Sequence, residues 1–341
     1  MQIIRNLLQT ESKAFVPLEH DVASQNSPQF AEKLFSNVNA TYGKSKIPPL
    51  SITIGNFDGV HLGHLAIIEQ VKKAAAQKNL ASAILTFEPH PVSLLRADKP
   101  QDFRIFSLAQ KLRIFQNLKI DYAIILPFNQ NFCQISAKNF VKNILHQKLN
   151  AKHLVIGYDF IFGQNRQGNF QLLEKLAPKL GFELEEVFAI KNQQQTCSSS
   201  LIRKLISEGE IKKANNFLGK NFEICGLVSE GRKLASQIGF ATANLAIKPH
   251  LIKPKFGVYQ TKTFIPHLKK NFLSITNFGV KPTIGGNLQP IFETHILNFT
   301  QNIYGKKIIV EFLDFIREEK KFSSLEELKR QISQDVKKIN L

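Results

Sequence analysis

A glycine-rich segment between a predicted strand and a predicted helix constrains the first half of this chain more than any other feature. Residues 51–64 read Ser-Ile-Thr-Ile-Gly-Asn-Phe-Asp-Gly-Val-His-Leu-Gly-His. The first four residues are typical of a buried strand, and a helix is predicted to begin near His64. Glycines in such a turn let the backbone approach a ligand closely, and the free N–H groups of the helix favour an anion. The segment therefore predicts a phosphate-binding turn.

The spacing of this segment matches neither Gly-x-Gly-x-x-Gly nor a Walker loop, so neither of those binding modes applies. His61 and His64 are three residues apart and are expected to project to the same side of the turn. A metal site at these two histidines is disfavoured because no third soft ligand lies nearby in the sequence. A structural turn with a capping histidine remains the alternative to a phosphate site, and spacing alone does not decide between them.

Strands and helices alternate through the rest of the first half. A first strand is predicted at 2–8, followed by an irregular or partly helical insertion at 10–48. Apolar periodicity predicts helices over 65–79, 107–118, 136–149 and 169–180, and strands over 81–87, 122–126, 153–156 and 183–189. This alternation predicts a doubly wound parallel sheet. Ligands bind at the carboxyl ends of such strands, where residues 55–64, 88–91, 128 and 157–163 are expected.

A further helix is predicted from Ser198 to about Leu218. Its first turn holds Ser199, Ser200 and Arg203, whereas the first turn of a helix normally favours acidic residues. An anion at the helix start, paired with Arg203, explains this placement. Serines that serve only as helix caps are the alternative.

The sequence changes character after about residue 220. Short strands separated by Gly, Pro and Asn are predicted at 222–228, 257–264, 272–278, 293–297 and 307–316, followed by a helix from Ser323 or Ser324 to about Lys338. This pattern predicts a small antiparallel β-barrel with a C-terminal helix. The expected architecture is therefore an α/β, Rossmann-like domain over residues 1–220 and a β-barrel domain over residues 221–341.

Net charge alone does not decide the class of partner. The charge of +18 suits a nucleic acid and equally suits polyanionic small molecules such as nucleotides, and the lysines are spread along the chain. A basic barrel that binds RNA is an alternative from another class, but the chain lacks the aromatic–basic interleaving of a stacking platform, so no nucleic-acid partner is expected. No apolar run approaches the ~18 residues of a membrane span, and no signal peptide is recognised. Three widely separated cysteines suit a reducing cytoplasm. The oligomeric state stays open.

Four motifs of the first half resemble the prokaryotic bifunctional riboflavin kinase/FAD synthetase family. They occupy residues 53–64, 86–91 (Thr-Phe-Glu-Pro-His-Pro), 157–163 (Gly-Tyr-Asp-Phe-Ile-Phe-Gly) and 198–203 (Ser-Ser-Ser-Leu-Ile-Arg), in the family's order. The first is similar to the nucleotidyltransferase His-x-Gly-His motif. The resemblance implies adenylyl transfer, in which the FMN phosphate attacks the α-phosphate of ATP and FAD and pyrophosphate result.

The resemblance also implies roles for individual residues. His61 and His64 would donate hydrogen bonds to the ATP phosphates, and Ser199, Ser200 and Arg203 would stabilise the departing pyrophosphate. Phe160 and Phe162 would contact the isoalloxazine ring, with packing in the core as the alternative. The remaining expected nucleotide-binding residues of the first motif are Gly55, Asn56, Phe57, Asp58, Gly59 and Gly63.

Two segments of the second half resemble the riboflavin kinase part of the same family. Residues 239–244 read Gly-Phe-Ala-Thr-Ala-Asn, and residues 293–299 read Glu-Thr-His-Ile-Leu-Asn-Phe. The resemblance implies a Mg²⁺ ion held by Thr242 and Asn244, and Glu293 as the general base for riboflavin phosphorylation. An outward-facing strand carboxylate is the alternative for Glu293. Gly231 and Gly239 are the expected glycines of the nucleotide loop.

The second half departs from the family pattern at several positions. Ala235 and Ser236 replace a Gly-Arg pair, Ala241 replaces a proline, and Lys281 and Asn298 replace arginine and aspartate. Alanine at a position that needs φ > 0 costs about 1 kcal/mol. These departures predict a working but weakened kinase. The alternative is an FMN adenylyltransferase with an inactive kinase-like barrel.

Overall fold

The computed structural model describes residues 1–5, 7, 47–95, 102–192, 194–229, 242–246, 249–282, 288–320 and 322–339 of the 341-residue chain. The chain divides into two compact units. The first holds Met1–Lys99 and Phe106–Thr196, and the second holds Pro100–Ile105 and Cys197–Leu341. Nearly all of the predicted insertion at 10–48 lies outside the described residues, as do Gly231, Gly239, Ala235, Ser236 and Ala241.

A six-stranded parallel sheet forms the centre of the first unit. Its strands follow the spatial order β1-β4-β3-β2-β5-β6, and every neighbouring pair is parallel. The strands are β1 (Gln2–Arg5), β2 (Leu50–Ile54), β3 (Ala81–Glu88), β4 (Tyr122–Pro127), β5 (Ala151–Gly157) and β6 (Glu183–Val187). The prediction of a doubly wound sheet is confirmed.

Helices cover both faces of this sheet because its strands bury apolar residues on alternate sides. The helices of the unit are α1 (Leu62–Lys78), α2 (Pro91–Leu95), α3 (Leu108–Asn117), α4 (Gln130–Cys133), α5 (Ala137–Asn139), a π-helix (Phe140–Lys148) and α6 (Phe170–Leu180). Ile52 and Leu85 face a core that includes Phe140 and Leu173. Ile84 faces the opposite core, with Phe115 of α3.

The strand order reverses beside β2. The chain passes from β2 to β3 and β4 on one side, and then returns to place β5 on the other side of β2. In a doubly wound sheet, the crevice at such a reversal is where ligands bind. The loops that follow β2 and β5, residues 55–61 and 158–163, lie at the carboxyl ends of these two neighbouring strands.

Three local features of the first unit differ from the sequence expectations. The helix predicted over 136–149 is capped by Ser136 as expected, but most of it is a nine-residue π-helix. A short helix begins at Pro91, where only a loop was predicted; proline suits the first helical position because it has no N–H to satisfy. A small hairpin, β7 (Lys191–Asn192) and β8 (Gln195–Thr196), was not predicted.

The second unit begins with two helices where one was predicted. They are α7 (Ser199–Ser207) and α8 (Ile211–Leu218). Gly209 has φ +81° between them, a left-handed conformation that ends an α-helix. The single helix predicted over 198–218 is therefore wrong in its middle.

The rest of the second unit is a closed antiparallel barrel, which confirms the predicted barrel. Its strand order is β10-β13-β12-β11-β14-β9, and β9 also pairs with β10. The strands are β9 (Phe222–Ser229), β10 (Thr242–Leu245), β11 (Gly257–Ile265), β12 (Lys270–Pro282), β13 (Leu288–Ile296) and β14 (Lys307–Arg317). β10 was not predicted.

The C-terminal helix α9 (Leu325–Ile339) packs on the barrel through one buried ion pair and an apolar contact. Arg317 at the end of β14 donates from Nη2 to Asp335 at 2.8 Å and from Nε at 3.0 Å. Ile339 joins Val258 and Ile275 in a small core. Within the described part of the chain, no helix is long and apolar enough to cross a membrane.

Candidate active sites

The loop after β2 holds an unusual backbone conformation. Three of its residues have positive φ: Phe57 (+48°), Gly59 (+81°) and Val60 (+43°). Phe57 and Val60 are buried in the core on the α3 side of the sheet, so packing holds them in a region that such residues rarely adopt. Backbone strain of this kind concentrates at functional sites.

His61 and His64 lie side by side at the end of this loop. Their rings stack with centroids 3.6 Å apart and an interplanar angle of 18°. His61 is the N-cap of α1, and its Nδ1 accepts the His64 N–H at 3.4 Å. A neutral His61 that accepts at Nδ1 carries its proton on Nε2. The cap therefore fixes a tautomer whose other nitrogen is a donor.

The start of α1 has the electrostatic character of an anion site. No acidic residue lies in its first turn, although acidic residues are favoured there. The helix begins at the strand-order reversal, where the sheet opens to ligands. The capping and phosphate-binding interpretations of the histidines are thus compatible, because His61 caps the helix through Nδ1 and a neutral ring then carries its proton on Nε2.

Buried polar side chains hold the loop after β2 in place. Lys111 of α3 is 2% exposed, and its Nζ donates to the Asn56 carbonyl at 2.8 Å and to Thr86 Oγ1 at 3.2 Å. Asp58 is 3% exposed and accepts the Phe106 N–H at 3.3 Å. Asp58 therefore braces the loop in this structure, and its predicted contact with a nucleotide stays a prediction.

Phe160 and Phe162 lie in the loop after β5. Their rings stack at 5.2 Å and 17°, and Phe162 also contacts Phe140 at 5.6 Å. Both rings are half-buried and pack against the core on the π-helix side of the sheet. A role in core packing is therefore established for both, and their contact with a flavin stays a prediction.

Ser199, Ser200 and Arg203 belong to α7 of the second unit. Ser198 caps this helix by accepting the Leu201 N–H at 3.3 Å. Arg203 Nε donates to the Phe103 carbonyl at 2.8 Å, and the guanidinium lies 5.8 Å from the centre of the Phe103 ring. These contacts fix the direction of the arginine side chain, whereas its predicted pairing with pyrophosphate is untested.

The barrel brings the three predicted kinase residues onto one face. Asn244 of β10 stands directly opposite Glu293 of β13, and Thr242 stands opposite His295 in the same antiparallel pairing. Side chains two residues apart on a strand share a face, so Thr242, Asn244 and Glu293 project together. All three are half-buried, whereas Ala243 between them is buried on the other face.

These residues have the chemistry of a magnesium site and not of a zinc site. A hydroxyl, an amide and a carboxylate offer the hard oxygen ligands that Mg²⁺ prefers. Among the described residues, no group of three or more His, Cys, Asp and Glu side chains is arranged to hold a metal ion. The donor set at Thr242, Asn244 and Glu293 therefore fits a magnesium ion that is also bound by a nucleotide phosphate.

Two family models match the chain, one in each part. FAD synthetase matches residues 44–201, and riboflavin kinase matches residues 218–341. The bifunctional riboflavin kinase/FMN adenylyltransferase of Haemophilus influenzae is 38% identical over 288 residues, which cover 84% of this chain and 92% of the relative. That of Escherichia coli K12 is 34% identical over 284 residues, covering 83% and 90%. The chain belongs to the bifunctional riboflavin kinase/FMN adenylyltransferase family.

One solved structure is similar along most of the chain. A crystal structure described as a macrolide-efflux protein from Streptococcus pneumoniae has a TM-score of 0.77 and 29% identity. The similarity covers 85% of this chain and 93% of that one. The fold of this family member therefore recurs in a protein described by a different activity.

Sequence reasoning missed several polar residues next to the family motifs. Lys111 is separated from Asn56 by 55 residues, and no local motif connects them. Its sequence spacing could have revealed it. Lys111 recurs at helical spacing with Leu108, Leu112 and Phe115, which places a lysine on the apolar face of α3. His295 and Asn277 were also missed, although strand pairing places His295 opposite Thr242 and Asn277 opposite Glu293.

Proposed function

We propose that this family member makes FAD in two ATP-dependent steps, each with its own catalytic centre. The chain is a riboflavin kinase and an FMN adenylyltransferase, as its two domains and its relatives indicate. Residues 1–220 carry adenylyl transfer, and residues 221–341 carry phosphorylation. The match of one family model in each part is the observation that carries this assignment.

In the kinase step, Glu293 takes the proton from the riboflavin 5′-hydroxyl. The hydroxyl oxygen then bonds to the γ-phosphorus of ATP, the bond from that phosphorus to the β-phosphate oxygen breaks, and ADP leaves. Thr242 and Asn244 would hold a Mg²⁺ ion, which would supply positive charge to the phosphates. The pairing of Asn244 with Glu293 supports this placement, since it keeps base and ligand on one face.

In the adenylyl step, an FMN phosphate oxygen bonds to the α-phosphorus of ATP and pyrophosphate leaves. His61 and His64 donate to the phosphates, and the rest of the loop (Gly55, Asn56, Phe57, Asp58, Gly59 and Gly63) surrounds the nucleotide. Ser199, Ser200 and Arg203 stabilise the leaving group, and Phe160 and Phe162 contact the flavin. No covalent intermediate is required, because positioning and charge stabilisation carry such a transfer. The Nε2–H tautomer of His61 supports its part in this scheme.

The two activities are separable by one substitution. Full-length protein is incubated with riboflavin and Mg-ATP, and FMN and FAD are resolved by chromatography. In Glu293→Gln, the loss of the base lowers FMN formation about 10²- to 10⁴-fold, while added FMN is still converted to FAD at the normal rate. Normal FMN formation by the variant would remove Glu293 from the kinase centre, and an inactive wild-type kinase would favour adenylyl transfer alone.

The substrates indicate the kind of binding partner, and the cysteine side chains indicate the cellular compartment. Riboflavin, FMN and ATP are small molecules, so neither a nucleic acid nor a membrane is required as a partner. None of the described residues Cys133, Cys197 and Cys225 is in a disulfide bond. Cysteines outside disulfides suit a reducing compartment, which supports a cytoplasmic location.

A further inference from the structure

The ammonium group of Lys111 is buried directly beneath the loop that carries His61 and His64. Only 2% of the residue is exposed, although lysine is among the residues least often buried. Its helix explains the burial, because Leu112 and Phe115 on the same face pack into the core. A charge in this position needs hydrogen-bond acceptors, and the loop backbone supplies one.

Two hydrogen bonds of Lys111 lead to one carbonyl oxygen, one directly and one through Thr86. Nζ lies 2.8 Å from the Asn56 oxygen and 3.2 Å from Thr86 Oγ1, and Thr86 Oγ1 donates to the same Asn56 oxygen at 3.3 Å. The peptide that joins Asn56 to Phe57 is planar, so fixing its oxygen fixes the plane from which Phe57 continues. Phe57 then takes φ +48°, which a phenylalanine adopts only when its surroundings impose it.

The Phe57 ring connects the Asn56–Phe57 peptide to the histidines, because it contacts His64. Its ring lies 5.1 Å from the His64 ring and 5.8 Å from the Phe115 ring of α3. His64 in turn stacks on His61 at 3.6 Å. A continuous set of contacts therefore runs from the ammonium group through the Asn56 carbonyl and the Phe57 ring to both imidazoles.

We propose that Lys111 is a positioning residue for adenylyl transfer, which sets the loop peptide between Asn56 and Phe57 and through it the two histidines. The proposal rests on the assignment of adenylyl transfer to residues 1–220. Lys111 itself needs no contact with a substrate. Its part is to keep His61 and His64 in place while the phosphates are bound, because small displacements of donors cost large factors in rate.

Lys111→Met tests the proposal, since methionine keeps most of the apolar stem and removes the donor. We expect kcat for FAD formation from FMN to fall about tenfold to a hundredfold, with riboflavin phosphorylation by the same sample within about twofold of wild type. Imidazole ¹H–¹⁵N spectra supply the positioning readout: the His64 signals shift, while those of His153, buried elsewhere in the first unit, stay in place. Lys72→Met, which removes a lysine paired with Glu69 at the surface, leaves both rates unchanged.

Thr86→Val provides a second variant of nearly the same shape. It removes a donor to the Asn56 oxygen and keeps the ammonium group, so FAD formation should fall less than in Lys111→Met.

FAD formation within twofold of wild type in Lys111→Met would overturn the proposal. Loss of the His153 signals in that variant would also overturn it, because Lys111 would then be required for folding. If His64→Ala likewise keeps its FAD formation, the assignment of the adenylyl centre fails as well.

Discussion

Val60 and Phe57 show that the unusual backbone of the loop after β2 does not depend on its glycines alone. The glycines predicted that the backbone could approach a ligand closely, yet two of the loop's three left-handed residues carry large side chains. Both side chains are buried in the core, which holds a backbone that would otherwise be costly. Packing within the protein therefore sets the shape of this loop.

Asn298 illustrates a departure from the family pattern that the backbone tolerates. It follows β13 with φ +54°, and asparagine is among the few residues that adopt this conformation readily. The exchange of aspartate for asparagine therefore strains nothing in the chain. Ala235, Ser236 and Ala241 lie outside the described residues, so the predicted weakening of the kinase stays a prediction.

His153 makes the stability of the first unit depend on pH. Burial lowers the pKa of its imidazole, and the nearby carboxylates of Glu185 and Glu183 oppose this shift only in part. Its Nδ1 lies 3.1 Å from the Ser51 hydroxyl. Below about pH 6.5 the unfolded chain binds a proton that the folded unit resists. The free energy of unfolding should therefore fall as the pH is lowered from about 7 to about 5.

Hydrogen exchange of the β2 and β5 amides measures this loss, because His153 lies in β5 and its ring contacts Ser51 of β2. His153→Gln keeps a polar side chain without the titration, so its protection should vary less with pH than that of wild type. Equal pH dependence in the two proteins would show that other groups are responsible.

At the scale of elements, long periodic segments were predictable and short ones were not. The helix of residues 108–117 follows Ser107, whose capping box with Gln110 is readable from the sequence. β10 has only four residues, too few for alternation to distinguish it from a loop, and its pairing with β13 is a tertiary effect. The helix predicted over 198–218 is interrupted at Gly209, which has a positive φ. The apolar pattern continues on both sides of this glycine, and such a pattern carries no information about backbone dihedral angles.

The ion pair between β14 and α9 gives an element-scale prediction. The Arg317 and Asp335 side chains are 13% and 2% exposed, and Gln331 also donates to Asp335 at 3.0 Å. Asp335→Asn removes the charge that Arg317 pairs with and should destabilise the packing of α9 by about 3–5 kcal/mol. Faster exchange of the α9 amides, or faster cleavage of that helix in limited proteolysis, would reveal the loss.

A neighbouring ion pair supplies the control. Lys255 and Glu318 also lie 2.8 Å apart, but their side chains are 42% and 72% exposed. Exposed pairs contribute little to stability, so Glu318→Gln should leave the exchange of α9 unchanged. The prediction for Asp335 fails if the two variants behave alike.

At the scale of the molecule, the candidate site residues in contiguous motifs could be proposed from the sequence, whereas the residues that support their loop could not. Gly55 to His64 can be recognised from one stretch of sequence, and the strand pairing places Asn244 opposite Glu293. The contact of Lys111 with Asn56 exists only after the sheet has formed, because α3 packs on it from a distant part of the chain. The net charge of +18 was equally compatible with a nucleic acid and with a polyanionic small substrate, so charge alone did not identify the substrate.

If the two reactions occur at separate centres, FMN made by one protein molecule can be converted to FAD by another. Glu293→Gln should make very little FMN but convert added FMN to FAD, whereas His64→Ala should make FMN and convert little of it to FAD. Riboflavin and Mg-ATP given to an equal mixture of the two full-length variants should therefore yield FAD after a lag in which free FMN accumulates. Chromatography over time follows both products, with each variant alone as the control. If the mixture accumulates FMN without FAD while Glu293→Gln alone still converts added FMN, the two steps would require a single intact chain.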